Sequence, residues 1–199
     1  MPFYRNRHAV LAEFAQEPNG MLKGTFDNAI TNAAILHLML SKKLGKDVIV
    51  AFTGDEEESS QGAIQVSRFL KNNAIKVRHI FVLDVSDMGW TENADFTIED
   101  DCWANDNTGK AIIETAKHLP YQWVFVPSDC TDIPQYVPEQ VLIHKDAAED
   151  ETWTYEEYGF DCCSICLPTS GEMHSNSGVL ARENSYRNYI NALEQLLKM

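Results

Sequence analysis

Four consecutive carboxylates, Asp55, Glu56, Glu57 and Glu58, follow the apolar run Val48-Ile-Val-Ala-Phe52 after only Thr53 and Gly54. Such a density of negative charge is costly unless cations or solvent compensate it. Two kinds of chemistry suit it: holding a metal ion, or taking a proton from water. Asp27 stands in Gly24-Thr-Phe-Asp-Asn-Ala29, Asp84 in Val82-Leu-Asp-Val85, and His174 in Met173-His-Ser175. Imidazole together with several carboxylates is a zinc-type donor set. Each residue also has a bland role. Residues 55–58 read equally as a solvated acidic loop, Asp27 as a helix cap, Asp84 as an ordinary strand end and His174 as a surface loop residue.

The elements around these residues decide whether they can meet. His8–Phe14 reads as a first strand, with a turn at Pro18-Asn-Gly20. Helical spacing runs from about 28 to 44, with Ile30, Ala33, Ala34, Met39 and Leu40 on one face and Gly45 as the stop. Residues 48–53 are predicted as a buried strand. Ser59 or Ser60 is placed to cap a helix with Ala63, Val66, Phe69 and Leu70 on its apolar side. Residues 79–85 form another apolar strand. Strand, helix, strand, helix, strand in this order is the pattern of a parallel sheet covered by helices. Right-handed crossovers bring the carboxyl ends of such strands to one edge, where open α/β folds keep their ligands. Asp27, residues 55–58 and Asp84 are therefore expected to converge.

Farther along, short strands are expected at 96–98, 122–126, 141–143 and 162–167, and helices at 108–119 and 179–197. The last helix carries Tyr186, Tyr189, Ile190, Leu193 and Leu197 on one face. The acidic run at 146–157 lacks the ligand spacing of an EF-hand and reads as a solvated loop. A loop from Pro168 to Ser177 sets His174 at the sheet edge that carries the carboxylates.

The 199 residues carry 16 basic and 30 acidic side chains, a formal charge of −14. Nucleic-acid binding, which needs a basic footprint, is thereby disfavoured. No apolar run is long enough to cross a bilayer, and the start, Met-Pro-Phe-Tyr-Arg-Asn-Arg, lacks the apolar core of a signal peptide, so a cytoplasmic location is expected. The expected organisation is a single domain over 1–199, with no linker and no repeat. Five cysteines without paired Cys-x-x-Cys spacing read as free thiols, those at 162, 163 and 166 as buried strand residues. No glycine-rich phosphate loop follows the first strand. Trp90, Trp103, Trp123 or Trp153, if exposed, would offer a surface for homo-oligomers.

The order and spacing of these pieces resemble the catalytic domain of the co-catalytic zinc exopeptidases, the leucyl, glutamyl and deblocking aminopeptidases and their carboxypeptidase relatives. The resemblance rests on Gly24-Thr-Phe-Asp-Asn-Ala29, on Glu56-Glu57 before Gly62-Ala63, on Val82-Leu-Asp-Val85 and on Met173-His-Ser175, with a weaker match at Pro120-Tyr-Gln122 and Cys130-Thr-Asp132. It runs from about residue 8 to the end. It implies a three-layer α/β/α fold with a mostly parallel mixed sheet, without the inserted domain by which many relatives dimerise. It further implies one or two zinc ions or another divalent cation, with Asp27 bridging two metals and a cis peptide bond between Asp27 and Asn28. Glu57 and His174 would hold one metal and Asp84 the other, with Glu56 as general base. The sequence departs from the family at one point, having no His-x-Asp motif. Ala12-Glu-Phe-Ala15 occupies that strand end, so Glu13 stands where the ligand histidine would be.

Three functions follow. The leading one is a metallo-exopeptidase or amidohydrolase acting on short peptides or N-acyl compounds, with the negative charge favouring a free amino terminus. A second is a catalytically degenerate relative that binds one metal or a small ligand. A third is a doubly wound binding domain without metal.

Overall fold

Cys162-Cys-Ser-Ile-Cys-Leu-Pro-Thr-Ser170 contains no charged residue, and almost the whole run is buried as one nine-residue strand. This computed structural model describes residues 14–54, 56–100, 107–127, 133–143, 151–172 and 178–199, and only the backbone of Glu57 and Glu58. The strands are β1 (Phe14–Gln16), β2 (Met21–Gly24), β3 (Ile80–Ser86), β4 (Phe96–Asp100), β5 (Trp123–Pro127), β6 (Leu142–Ile143), β7 (Cys162–Ser170) and β8 (Val179–Arg182). The helices are α1 (Ala29–Leu40), α2 (Glu56–Ser59), α3 (Gln61–Asn72), α4 (Thr108–Ala116), α5 (Thr152–Glu157) and α6 (Glu183–Leu196).

The eight strands form one sheet in the order β1-β2-β8-β7-β4-β5-β6, with β3 also paired to β7. β3 runs parallel to β7 over its whole length, from Ile80 opposite Cys162 to Ser86 opposite Pro168. β4–β5 and β5–β6 are parallel as well. The pairs β1–β2, β2–β8, β4–β7 and β7–β8 are antiparallel. The mixed sheet is thus less parallel than expected. Because β4 opposes β7, its carboxyl end with Glu99 and Asp100 lies at the sheet edge opposite Ser86.

Period-two alternation gives the sheet two apolar faces. Val85, Ile98, Phe125, Ile165 and Leu167 pack with residues of α1, α4 and α6, among them Ile35, Leu38, Ile112, Tyr189 and Leu193. On the other face Val82 and Cys162 meet Ala63 of α3 and Tyr155 of α5. The result is the expected three-layer α/β/α arrangement. Cys162, Cys163 and Cys166 are free and buried, as expected of strand residues.

Several sequence expectations are corrected. Residues 48–53 form no strand: Ile49 is 61% and Phe52 51% exposed, while Val50 alone of the run packs against the main core. The carbonyl of Gly54 accepts the N–H of Gly62, so the end of this run is committed to α3 instead of a ladder. Among the described residues β3 pairs only with β7. Phe69 points outward from α3. Part of the 146–157 acidic run is helical: Thr152–Glu157 is α5, with Glu151 buried ahead of it. Val179–Arg182 is strand β8, so the last helix starts at Glu183. Trp123 is buried in the core and Trp153 is exposed. The turn at 18–20 joins β1 to β2, with Gly20 at φ 78°.

Candidate active site

α1 begins immediately after the segment that carries Asp27. Asn28 occupies the N-cap position but makes no side-chain cap bond. The side chain of Asn28 instead reaches across to β3, its Nδ2 donating to the carbonyl of Leu83 at 2.5 Å. The Thr31 hydroxyl approaches the same carbonyl at 3.3 Å and also contacts the Asn28 side-chain oxygen. The Leu83 carbonyl lies on the outer side of β3, where no other described strand accepts its edge. These bonds hold the Asp27–Asn28 turn beside the Leu83–Asp84 segment. The Asp27–Asn28 peptide is cis, as the resemblance implied.

Asp84 lies two residues inside the end of β3, half-buried, in register with Cys166 of β7. One of its oxygens accepts the N–H of Val85 at 2.7 Å. Behind it Tyr189 is fully buried and donates its hydroxyl to the carbonyl of Ile165 at 2.9 Å. Burial pushes the Tyr189 phenol well above its ordinary value, and the nearby Cys166 and Asp84 push in the same direction. The phenol therefore remains a neutral donor that braces the strand bearing Asp84's neighbour.

Glu56 is the half-buried first residue of α2, its carbonyl accepting the N–H of Ser60. The backbone of Glu57 follows it in the same helix. Gly62 shows why this corner needs small residues. A Cβ there would meet the backbone N and O of Gly54 and the Cβ of Thr53, each at 2.7 Å. One further polar contact was not foreseen: the Thr53 hydroxyl donates to Glu151 at 2.9 Å. Its sequence signal is faint, since Glu151 sits within a run of acidic residues.

Asp55, Glu13 and His174 lie outside the described residues, as do Cys102, Trp103, Cys130 and Asp132. Of the expected site residues, the structure brings the Asp27 and Asp84 segments together. Among the described residues, no group of three or more His, Cys, Asp and Glu side chains is placed to hold a metal. Among the described residues, Glu56 forms no such group with Asp27 and Asp84. The two aspartates supply hard oxygen donors, the donor type that divalent cations accept. The described residues fit one part of a metal site.

Two clefts open elsewhere. One of about 270 Å³ is lined by Phe52, Thr53, Gly54, Gln61, Gly62 and Val66. A larger groove of about 530 Å³ lies between the β1–β2 hairpin and α1 and α6, with Phe14, Leu22, Phe26, Ile30, Tyr186 and Ile190 on its walls. Neither is lined by Asp27, Glu56 or Asp84.

The sequence matches no protein-family model and no curated protein. The fold does match solved structures. One is PhTET1-12s, solved as a dodecamer, with a TM-score of 0.62 and 13% identity over 93% of this chain and 53% of that one. The TET aminopeptidase from the marine sediment archaeon Thaumarchaeota archaeon SCGC AB-539-E09 has a TM-score of 0.61 and 16% identity, over 94% of this chain and 52% of that one. Aminopeptidase APDkam598 from the archaeon Desulfurococcus kamchatkensis has a TM-score of 0.62 and 14% identity, over 94% of this chain and 51% of that one. At these identities the likeness is one of fold. The chain spans about half the length of the solved structures it matches.

Proposed function

We propose that this chain is a metal-dependent exopeptidase of aminopeptidase type, acting on short peptides or N-acyl compounds. The observation that supports the reading is the bond from Asn28 to Leu83, which joins the segment of Asp27 to that of Asp84, in a fold shared with solved aminopeptidases. Two carboxylates at one sheet edge repel each other unless a cation lies between or beside them. Asp27 and Asp84 would hold zinc or another divalent cation, with Glu57, His174 and Glu13 as the further candidate ligands. A metal bound there supplies Lewis acidity and lowers the pKa of water.

The chain's own residues do the rest. Asn28 and Thr31 fix Asp27 by holding its neighbour against β3. Glu56, at the start of α2, accepts the proton of the attacking water as general base. The formal charge of −14 draws a protonated amino terminus in preference to a carboxylate end. The dodecameric state of one solved neighbour supports self-assembly as part of this reading, with the exposed Leu36, Met39 and Leu40 of α1 as a surface for it. Among the described residues no helix is long and apolar enough to cross a membrane.

A second reading is favoured by Glu13 and Ala15 in the sequence where the resemblance places His-x-Asp. It is a relative that binds metal or a small ligand without turnover. Glu56→Gln separates the two. The enzyme reading predicts hydrolysis of aminoacyl p-nitroanilides by the wild type with added zinc, abolished in Glu56→Gln at unchanged zinc content. A zinc-loaded wild type that hydrolyses no peptide or N-acyl substrate supports the binding reading instead.

A further inference from the structure

α1 carries no charged side chain, and its apolar residues occupy both of its faces. Ile30, Ala34, Ile35 and Leu38 are buried in the core. A helix that is apolar all round is ordinarily a buried one, yet Leu40 is 83% and Leu36 43% exposed. The exposed residues are not scattered. Ala29, Ala33, Leu36 and Leu40, all exposed, follow one another at spacings of four, three and four, the seam of a coiled coil. Along this seam the side chains are small at the amino end of the helix and large at its carboxyl end. Ala29 and Ala33 also line the groove of about 530 Å³ that α1 shares with α6 and the β1–β2 hairpin. One face of α1 thus offers an apolar hollow at one end and exposed leucines at the other, with Ala29 and Leu40 roughly 16 Å apart along the axis.

We propose that this face is the interface between two copies of the chain, α1 packing antiparallel on α1 of the second copy about a two-fold axis. Leu36 of each copy then lies against Ala33 of the other, and Leu40 against Ala29 at the mouth of the groove. A two-fold contact uses the same patch twice, so the patch must be complementary to itself. A seam that runs from small to large side chains meets that condition only when the two helices are antiparallel. Charge selects the same face. Copies that each carry a formal charge of −14 repel one another, and α1 supplies twelve residues without Asp, Glu, Lys or Arg. A contiguous apolar patch on so charged a surface marks a contact with another apolar surface. The proposal rests on the functional reading only for self-assembly, and neither on metal nor on turnover.

The test is sedimentation velocity on the full chain, from low micromolar to submillimolar concentration. The wild type is expected as a dimer of 22.5 kDa chains. Leu36→Glu, Leu40→Glu and Ala33→Lys each set a charge on the seam. Each should raise the dissociation constant by roughly a hundredfold or more, as an unpaired charge buried at a contact does. All three positions are exposed in the single chain, so circular dichroism should stay that of the wild type. An equimolar mixture of Leu36→Glu and Ala33→Lys chains should recover a heterodimer, because antiparallel packing sets the new carboxylate against the new ammonium group. A mixture of Leu36→Glu and Leu40→Glu chains should not. The proposal is overturned if the wild type is a monomer throughout, or if the three variants dimerise as the wild type does. A Leu36→Glu and Ala33→Lys mixture that stays dissociated overturns it too, since the register would then be wrong. A monomeric wild type that hydrolyses an aminoacyl p-nitroanilide with added zinc defeats this interface alone. A dimer that depends on α1 but takes up no zinc upholds the interface and defeats the peptidase reading.

Discussion

The two arms of the candidate site are held by different means. Asp84 belongs to β3, whose seven residues pair in register with the buried β7, and Asp27 is joined to that strand by Asn28 and Thr31. Upstream of Glu56, residues 51–54 lie in no strand and are exposed, with a side-chain bond from Thr53 to Glu151 and one backbone bond from Gly62 to Gly54. The aspartate arm is part of the sheet, while the glutamate arm is tethered to two helices that cover it. This division matches the roles proposed. Ligands to a metal need fixed geometry, and a proton acceptor needs reach. Polar groups can therefore be placed by pairing or by tether, and the second kind is the easier to detach.

The sharpest way to break the comparison is to remove each arm's chemistry in turn. Glu56→Gln should lower kcat by about a hundredfold to ten-thousandfold, the range for a general base, with zinc content unchanged on elemental analysis. Asn28→Ala, on the other arm, should do the converse. It leaves Glu56 untouched but weakens zinc affinity by about tenfold to a hundredfold, as loss of a residue supporting a ligand does, measurable by competition with a chromogenic chelator. If Asn28→Ala lowered kcat at full zinc occupancy and left affinity alone, the two arms would not divide their work as described.

The next effect is on stability. Gly62→Ala places a Cβ at 2.7 Å from the backbone of Gly54, an overlap of backbone atoms that cannot turn aside. Overpacking of this kind costs roughly 1–3 kcal/mol and should lower the thermal midpoint while moving Glu56. The smallest effect belongs to the far edge of the sheet. There Asp161 caps α4, its oxygens accepting the N–H of Asn107 at 2.9 Å and of Thr108 at 3.1 Å. Asp161→Ala should cost about 1 kcal/mol, the value of a helix cap, and leave both kcat and zinc affinity at wild-type levels. A change in either would mean that the two edges of the sheet are coupled.

What the sequence revealed follows the same division. α1, α4, β3, β4, β5 and β7 carry continuous apolar runs or helical spacing long enough to read, and the strand that sets Asp84 was among them. β2 and β8 were not foreseen. Each has four residues, and Val179–Arg182 runs into α6 without a break, so the helical spacing of Tyr189 and Leu193 absorbs it. Val48–Thr53 misled because β-branched and aromatic residues report a preference for extended backbone, whereas a strand also needs a free partner edge. Here Val50 turns inward and the segment's end is taken by Gly62. Glu151 was hidden among five other acidic residues of the run 146–157, since nothing in composition separates one buried carboxylate from a solvated run. The meeting of the Asp27 and Asp84 segments was legible because both belong to strongly patterned stretches. The bonds that secure it, from Asn28 and Thr31, were not, because they depend on contacts more than fifty residues apart in sequence.

The most direct measurement of the central claim is the zinc content of the full chain, purified without chelator and then exposed to excess zinc, beside Asp27→Ala treated alike. The account predicts one or two zinc ions per chain in the wild type and a loss of at least one in Asp27→Ala, with the fold intact by circular dichroism. A wild type that takes up no metal under either condition, or an Asp27→Ala chain that binds as much as the wild type, would contradict it.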